Sequence, residues 1–383
     1  MRRRSSVAAR RQDDWSHSWT DRGGRAFLRC GALIAGASLA LAGGAPRAHA
    51  QAAPQHGGVR GAVRTTLGNA LPYAVVVLEP GFPPRFTNDS GAFAFSGLAA
   101  GTYHLRARQV GYRPFDTTVV VAHDSTVVVA VPLERLVVEL AEIRVVVSAG
   151  DFRRCTTPGP PDAATSPEFA AVFEQLRQNA ERYWMLADSY PAVYRMERRF
   201  GRPDHYNRTL LVDRTDTVDL STDARWHYAP GRVLTDVTSP RGATELQVNL
   251  PGLPDLADTT FLMNHCFRFA GVDDMQGARY ARLDFRVAEQ ITAPDADGSA
   301  YLDTSTYVIR FLTMRLTRPE RAAPNLQNLE ATVEYREVVP SLVLPDRISS
   351  VQTSSFRSTL VEAVEEQRSV GLHFLQALPK QRP

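Results

Sequence analysis

Apolar and polar residues alternate in short runs between residues 57 and 133, and a period of two is the pattern of half-buried β-strands. Gly, Pro, Asn and Asp separate the runs at regular spacing, as in small all-β domains. Phe93, Phe95, Tyr103 and Leu105 lie at period-two positions and are predicted to build a sheet core. The predicted strands are 59–63, 74–78, 92–95, 102–108, 115–121 and 126–131.

A different period begins at residue 167, where apolar residues recur every three or four positions up to residue 187. Ser166 is a suitable N-cap and Pro167 fits the first helical turn, so we predict a helix with one apolar stripe. The stripe comprises Phe169, Val172, Phe173, Leu176, Ala180, Tyr183, Trp184 and Ala187.

Alternating segments after this helix predict an antiparallel sheet that curves around it, which gives an α+β domain over about residues 165–360. The order of elements resembles the half-barrels of periplasmic lipoprotein-carrier proteins, as an analogy of fold without shared motifs. The chain is therefore predicted to be mainly β, with a β-sandwich ahead of the α+β domain. The predicted strands are 193–200, 209–220, 246–250, 267–271, 278–288, 299–302, 307–316, 329–339 and 342–353.

The first fifty residues differ from the rest. Nine arginines and an apolar run at 30–44 are followed by Ala48-His49-Ala50, which is the small-x-small pattern of a secretory cleavage site. We predict an export signal at residues 1–50 that is cut after Ala50. The apolar run is shorter than the roughly 20 residues that span a bilayer, and a permanent anchor is the weaker alternative. We expect the mature chain to have no transmembrane segment and to lie in the periplasm, at the outer membrane or outside the cell.

The leader accounts for the positive charge of the chain. The 383 residues have a formal charge of +3, but the leader holds nine arginines and three acids, so the mature part is mildly acidic. No basic stripe with interleaved aromatics remains, and nucleic-acid binding is disfavoured. Lys380 is the only lysine, which leaves Schiff-base and P-loop chemistry almost without their usual residue.

Five sequence elements fall in order within the sandwich segment. They are Gly61-Ala62-Val63, the apolar run 74–78, Thr87-Asn88-Asp89-Ser90-Gly91-Ala92-Phe93, Leu98-Ala99-Ala100-Gly101-Thr102-Tyr103 and Val110-Gly111-Tyr112. In combination they resemble the carboxypeptidase regulatory-like domain. The resemblance implies a seven-stranded, transthyretin-like Greek-key sandwich, classed with carbohydrate-binding-like folds. It also implies an accessory module of secreted peptidases and outer-membrane receptors that has no active site of its own.

The segment 138–149 is similar to the junction that follows this module in TonB-dependent receptors. A Pro-rich linker at 155–161 and only some 220 residues follow it, instead of a plug and a long barrel. We therefore divide the chain into a leader (1–50), a sandwich (57–133), a strand and linker (134–164), the α+β domain (165–360) and a C-terminal tail (361–383).

Two cysteines remain after the predicted cleavage, Cys155 and Cys266. Disulfides persist in the compartments to which exported proteins go, and the number of cysteines is even. We predict a bridge between the two, with a pair of free thiols as the alternative.

The sequence contains no H-E-x-x-H or G-x-S-x-G motif and no histidine pair at zinc-binding spacing. A new catalytic constellation built from His205, His227, His265 and nearby acids stays open. Cys266 follows His265 directly, but adjacent residues on a strand point to opposite faces, which favours a structural role for both. We expect no cofactor and favour a protein without enzymatic activity.

Two further groups are candidates for ligand contact. Asp295, Asp297 and Asp303 are a weak candidate for a calcium site, although Asp297-Gly298 is more simply predicted as a hairpin turn. Trp226 and Tyr228 could stack on a sugar ring, and packed or solvent-facing aromatics are the more common case.

The function that these features favour is binding or assembly at the cell envelope. The sandwich would act as a spacer or as a recognition module for an envelope protein or a glycan. One alternative is an accessory or cryptic hydrolase with its site in the C-terminal domain. Another is a truncated relative of TonB-dependent receptor components.

Overall fold

The computed structural model describes residues 57–138, 152, 154–204, 206–207, 209–223, 227–238, 244–357 and 359–376. The predicted leader and all but the first residue of the junction segment 138–149 lie outside these residues. Within the described ranges, no helix combines the length and the apolar character that a membrane crossing requires.

Seven strands at the N-terminal end form a β-sandwich, as predicted. They are β1 (Gly57–Thr65), β2 (Val75–Glu79), β3 (Arg85–Phe86), β4 (Ala92–Leu98), β5 (Gly101–Arg108), β6 (Phe115–Val121) and β7 (Thr126–Leu133). One sheet has the order β4-β1-β7, and in it β1 and β7 run parallel. The other sheet has the order β3-β2-β5-β6 and is antiparallel throughout.

The core of the sandwich is built from the predicted period-two positions. Phe93 and Phe95 of β4 and Tyr103 and Leu105 of β5 are all buried. Because β4 and β5 belong to different sheets, the alternation brings the apolar faces of the two sheets together.

The C-terminal domain has one long helix, α1 (Pro167–Ser189), and a curved antiparallel sheet. The sheet strands are β8 (Ala192–Asp204), β9 (Thr209–Ser221), β12 (His265–Met275), β13 (Ala278–Val287), β14 (Ala296–Asp303), β15 (Ile309–Leu316), β16 (Leu326–Val339), β17 (Leu342–Phe356) and β18 (Thr359–Phe374). The remaining elements are a ribbon of β10 (Leu234–Thr238) and β11 (Thr244–Val248), a 3₁₀ helix (Leu253–Ala257), α2 (Thr259–Leu262) and α3 (Pro319–Ala322). The sheet order is β12-β13-β14-β15-β16-β17-β18-β8-β9, so the first two strands join the sheet beside the last one.

The apolar stripe of α1 packs on the inner face of this sheet. Val172, Phe173, Leu176 and Ala180 are buried there, and the rings of Phe173 and Phe267 have centroids 4.8 Å apart. Burying a side chain of this size stabilises the fold by roughly 1.5–3 kcal/mol. The predicted arrangement of one helix on an antiparallel sheet is confirmed.

Helix α1 has a second buried face, which is polar and was not predicted. Gln175, Asn179 and Arg182 recur there at helical spacing, and all three are almost fully buried. The side-chain amide of Asn179 donates to the backbone oxygen of Tyr307 at 2.9 Å and accepts from the backbone N–H of Ile309 at 3.0 Å. These bonds attach the helix to the turn ahead of β15.

The same polar face binds the sandwich. The backbone N–H of Gly111 donates to Oε1 of Gln175 at 2.7 Å. The guanidinium of Arg182 donates from Nη1 to Oε1 of Gln109 at 3.0 Å and from Nε to the backbone oxygen of Ser341 at 3.1 Å. Helix α1 is therefore hydrogen-bonded to both domains at once.

A disulfide joins Cys155 to Cys266, which confirms the predicted bridge. The linker around Cys155 lies along the edge of β12: the backbone N–H of Gly159 donates to the oxygen of His265 at 2.9 Å. The backbone N–H of Glu289 also donates to the oxygen of Cys155 at 2.9 Å.

The prediction of a hairpin turn at Asp297-Gly298 is wrong. Both residues lie inside β14 and pair with Arg315 and Met314 of β15. The glycine serves close packing, because a Cβ at Gly298 would lie 2.4 Å from the ring of Phe285.

Residues 361–374, which were expected to belong to a C-terminal tail, form most of β18. This strand pairs with β17 on one side and with β8 on the other. The run Glu362–Gln367 therefore lies within a central strand, where its side chains are half-buried or exposed.

Replacing both Cys155 and Cys266 with serine should lower the free energy of unfolding by about 4–5 kcal/mol, because the bridge closes a loop with a sequence separation of 111 and restricts the unfolded chain. Urea unfolding of the oxidised wild type and the double variant measures the loss. Wild type treated with a reductant is the matched control and should lose as much. Unchanged unfolding midpoints in both samples would contradict the expectation.

Gly111→Ala should destabilise the contact between the two domains. Gly111 has a φ of +83°, and a Cβ there would lie 2.8 Å from the backbone oxygen of Thr306. Gly97 is the matched control, since its φ is +79° and a Cβ there meets no atom within 4 Å. In both variants, an alanine in the left-handed region lowers the free energy of unfolding by about 1–2 kcal/mol. The clash in Gly111→Ala should lower it by a further 1–3 kcal/mol, roughly.

Calorimetric unfolding of the two glycine variants tests this expectation. Gly111→Ala should unfold at a lower temperature than Gly97→Ala and should separate the transition of the sandwich from that of the C-terminal domain. Equal losses in the two variants would show that the clash does not act on the interface.

Candidate functional site

The three acids considered for a calcium site do not converge. Asp295 is fully buried, while Asp303 lies at the far end of β14, about 20 Å from Asp297 at the rise of an extended strand. Asp303 accepts hydrogen bonds from the backbone N–H groups of Ser305 and Thr306, both at 2.8 Å, and so stabilises a turn. Across the described ranges, no three His, Cys, Asp or Glu side chains are grouped to hold a metal ion.

Asp295 and Tyr228 meet in the core. The hydroxyl of Tyr228 donates to Oδ2 of Asp295 at 2.9 Å, and the backbone N–H of Gly231 donates to the same oxygen at 2.6 Å. Burial, and after it the charge of Asp295, raise the pKa of the Tyr228 hydroxyl. Tyr228 is thus a packed side chain without an exposed face for a sugar, and Trp226 lies outside the described residues.

Of the histidines considered for a hydrolase site, the two that the structure describes do not share an open cleft. His265 is fully buried, with both ring nitrogens facing backbone carbonyl oxygens at 2.9 and 3.1 Å and Nε2 lying 3.9 Å from Asp295. Burial lowers the pKa of His265. His227 is exposed and stacks on Trp184, and His205 lies outside the described residues. A substrate has no access to the imidazole of His265.

Another buried acid, Asp255, belongs to the same structural network. Its carboxylate accepts from the backbone N–H groups of Gly252 at 2.7 Å and Tyr228 at 3.2 Å. Burial raises the pKa of Asp255 to about 6. The carboxylate caps the N-terminus of the 3₁₀ helix, which is a structural role.

The outward face of the sheet β4-β1-β7 carries an open trough of about 730 Å³, which we call the sandwich trough. Small side chains form much of its floor, and Val128 on β7 is 66% exposed beside them. The outward-facing residues that line the trough are Arg60, Ala62, Arg64, Ala92, Ala94, Val128, Ala130 and Pro132.

Two arginines give the sandwich trough its charge. Arg64 donates from Nη1 to the backbone oxygen of Gly68 at 3.0 Å, and both Arg60 and Arg64 are exposed. Among the residues that the structure describes, neither guanidinium has an acidic side chain within 4 Å. The trough is therefore apolar at its centre and positively charged along β1.

A second open surface, of about 440 Å³, lies on the outer face of the nine-stranded sheet, and we call it the arginine groove. On β13 the charged residues alternate with Leu283 and Phe285, which point into the core, so the charges share the outer face. The charged residues that line the groove are Arg268, Arg282, Arg286, Arg315, Asp284, Asp297 and Glu330.

Asp284 forms the centre of the groove floor and is fully engaged. Its carboxylate accepts from Nη2 of Arg268 at 2.6 Å, Nε of Arg282 at 2.7 Å and Oγ of Ser299 at 2.7 Å. Burial favours the protonated acid, but these hydrogen bonds outweigh it and lower the pKa of Asp284. Asp284 is therefore a fixed negative charge that orients two arginines.

Asp297 holds its two arginines far less closely. Its Oδ1 accepts from the backbone N–H of Val287 at 2.9 Å, while Nη2 of Arg286 and Nη2 of Arg315 lie 3.8 and 3.9 Å from Oδ2. Both distances exceed hydrogen-bond length. At this end of the groove, one carboxylate faces two guanidinium groups.

Phe152 lies over the groove beside Arg268 and Arg286. The guanidinium carbon of Arg268 lies 4.3 Å from the centre of its ring, and that of Arg286 lies 5.8 Å from it. The disulfide at Cys266, two residues from Arg268 on the same face of β12, holds the linker that carries Phe152 in place.

Neither surface was predicted from the sequence, although each has a signal there. Charged residues alternate with core residues at Arg282-Leu283-Asp284-Phe285-Arg286, and the trough has the same pattern at Arg60-Gly61-Ala62-Val63-Arg64. This alternation indicates an outer face with charges on it. The partner strands that complete each surface depend on sheet order, which local pattern does not determine.

Residues 58–134 match the family model of the carboxypeptidase regulatory-like domain. This match confirms the resemblance found in the sequence, and the sandwich is such a domain. None of the curated proteins matches the chain.

Several solved structures show limited similarity to the chain. The minor pilin GBS52 of Streptococcus agalactiae is 20% identical over 22% of this chain, with a TM-score of 0.19, and the chain spans 46% of that pilin. An outer membrane lipoprotein-sorting protein domain from Vibrio parahaemolyticus is 11% identical over 54% of this chain and 94% of its own, with a TM-score of 0.29. A LolA superfamily protein from Nitrosomonas europaea has 13% identity, the same coverages and the same TM-score. Similarities of this size carry no argument about function, and the assignment that stands is the regulatory-like domain at residues 58–134.

Proposed function

We propose that the protein is an exported binding or assembly protein of the cell envelope, in which the regulatory-like sandwich is a rigidly mounted recognition module without catalysis of its own. The observation that carries this proposal is the sandwich trough, an open apolar surface on a domain that buried hydrogen bonds fix to helix α1.

The buried contacts between the sandwich and helix α1 favour a recognition module over a flexibly attached spacer. Gly111 and Gln109 contact the helix through bonds to Gln175 and Arg182, whose side chains are buried. Breaking such a contact leaves a buried polar group without a partner, at a cost of about 1–3 kcal/mol each. The contacts come from the loop after β5, so the residues of the trough stay exposed.

The chemistry of the sandwich trough favours a protein partner over a glycan. The uncharged part of its outward lining is Ala, Val and Pro, and Phe93 beneath it is buried, so the described lining offers no aromatic face to a sugar. Arg60 and Arg64 add positive charge without acidic neighbours among the described residues. The complementary partner is a protein segment with apolar side chains flanked by acids.

The disulfide supports the exported location. Cys155 and Cys266 are bridged, and structural disulfides belong chiefly to compartments outside the cytosol. Together with the predicted leader, the disulfide supports an exported location, and we propose the periplasm or the outer membrane as the site of the function.

A photo-reactive residue at Val128 should form a covalent adduct with an envelope protein in living cells. Val120 on β6 is the matched control, because it is 68% exposed against 66% for Val128 but lies on the other sheet of the sandwich. Irradiation followed by mass spectrometry identifies any adduct. Arg60→Glu with Arg64→Glu should reduce the Val128 adduct about tenfold, because like charges then face the acidic segment of the partner.

Adducts of equal yield at Val128 and Val120 would contradict the proposed protein recognition. So would a Val128 adduct that the charge reversal leaves unchanged. Binding to a glycan array that is lost with Val128→Glu would replace the protein partner with a sugar.

A further inference from the structure

The free edge of strand β7 is open to pairing with another chain. In the sheet order β4-β1-β7, one side of β7 pairs with β1, and no described strand pairs with its other side. The strand has the sequence Thr-Val-Val-Val-Ala-Val-Pro-Leu over residues 126–133 and carries no charge. Long apolar edges readily accept a further strand, and proteins usually protect them.

The other sheet edges of the described chain have protection that β7 lacks. Strand β9 carries four charged residues, β6 carries Asp116, and each strand of the β10–β11 ribbon carries one acid. Strand β3 has two residues, and the linker covers β12 at Gly159. On β4, the backbone oxygen of Ala94 accepts from Nη1 of Arg85 at 3.0 Å. Among the described strands, β7 is the long edge with neither a charge nor a cover.

The hydrogen-bonding groups at this edge can be assigned residue by residue. The backbone N–H of Gly58 on β1 donates to the oxygen of Ser125 at 2.9 Å. Because successive residues of a strand direct their backbone groups to opposite sides, alternate residues from 125 onward bond to β1. Pro132 fits this assignment, since a proline within a strand directs its nitrogen away from the ladder. The free edge therefore presents the N–H and C=O groups of Val128 and Ala130.

The core side of β7 is incompletely covered as well. Val127 and Val129 point toward the sandwich core but are only half-buried, whereas Val131 is 1% exposed. A strand added to β7 would place apolar side chains beside these two valines. Apolar surface that is removed from water in this way stabilises a complex.

The arginines of β1 define which side chains an added strand should carry. The register pairs on the outer face are Arg60 with Val128, Ala62 with Ala130 and Arg64 with Pro132. An added strand would lie about 10 Å from β1, since neighbouring strands are about 4.8 Å apart. Acidic side chains opposite Val128 and Pro132 would meet the two guanidinium groups across β7. A small residue suits the position between them, opposite Ala130.

We propose that β7 binds an extended segment of an envelope protein as an added antiparallel strand. In this segment two acidic residues four positions apart face Arg60 and Arg64, and apolar residues alternate with them. The inference rests on the protein recognition proposed above and gives its mode, because the sandwich trough is the outer face beside this edge. In strand addition, main-chain hydrogen bonds give affinity and the alternate side chains give specificity.

Residue-resolved amide hydrogen exchange of the mature chain tests the added strand. The probe is the peptide acetyl-Thr-Val-Glu-Val-Ala-Val-Glu-Thr-amide. At saturating peptide, exchange at Val128 and Ala130 should slow about tenfold or more, because their N–H groups become hydrogen-bonded. Val127 and Val129 are internal controls, since their N–H groups bond to β1 with or without the peptide. A peptide with lysine in place of both glutamates should give no protection.

Two N-methylated peptides separate backbone pairing from contact with the trough alone. In the antiparallel strand the central alanine directs its N–H to β7, and the valine after it directs its N–H away. Methylation of the alanine nitrogen should weaken binding about tenfold or more, while methylation of the valine nitrogen should change it less than about twofold. Equal binding of the two peptides would overturn strand addition.

Ala130→Pro tests the same hydrogen bond from the side of the protein. The substitution removes an N–H that is directed to the free edge and keeps the ladder to β1, as the natural Pro132 does. Ala130→Ser is the matched control, because it keeps the N–H and a small outer side chain. The serine variant should bind the peptide and the proline variant should not, with circular dichroism to confirm that both are folded. Undiminished binding by folded Ala130→Pro would contradict the proposal.

The outcomes distinguish this inference from the function on which it rests. If the peptide does not bind, the added strand is wrong, while an adduct at Val128 in cells would leave the proposed protein recognition standing. Exchange at Val128 and Ala130 that slows with increasing concentration of the free chain would assign the edge to a second copy. That result would overturn the partner segment.

Discussion

The polar face of helix α1 is the constraint on which the arrangement of the two domains depends. Gln175 and Arg182 accept from and donate to the sandwich, while Asn179 and Arg182 bond to turns of the C-terminal sheet. All three side chains are buried, and a buried polar group that loses its hydrogen-bond partner costs free energy because it has no water to replace the partner. Since one side chain, that of Arg182, serves both domains, neither domain can shift along the helix without leaving a donor unsatisfied.

Arg182 shows that this constraint acts through geometry more than through net stability. In the described structure its hydrogen-bond partners are neutral oxygens of Gln109 and Ser341, and no carboxylate lies within 4 Å. Burial, and after it the nearby charge of Arg108, lower the pKa of Arg182 to about 9, so the charge is unfavourable where it is placed. A buried charge of this kind stabilises less than an apolar side chain of similar size would. The guanidinium instead fixes the position of the two domains relative to each other, because it is hydrogen-bonded both to the loop after β5 and to the turn between β16 and β17.

The sequence allowed most of the strands, the long helix and the disulfide to be predicted, because each of these has a local or chemical signal. The polar face of α1 could not be recognised, since Gln175, Asn179 and Arg182 at helical spacing are also what an exposed face contains. The same limit explains the error at Asp297-Gly298: these residues are typical of a turn, and only the backbone of Thr313 and the ring of Phe285, on the two neighbouring strands, show why a glycine is needed there. The arginine groove has a visible alternation on β13, but Arg315 reaches it from a strand whose place in the sheet the sequence does not specify.

The order of the nine-stranded sheet explains why the linker is fastened where it is. Strands β8 and β9 come first in the domain yet pair beside β18, so β12 lies at the edge of the sheet. Exposed edges of this kind are prone to pair with other chains. Gly159 forms a parallel β-bridge with Cys266 on that edge. The disulfide between Cys155 and Cys266 attaches the covering segment to the edge covalently. The covering segment also places Phe152 over the arginine groove, so protection of the edge and construction of the groove follow from a single covalent link.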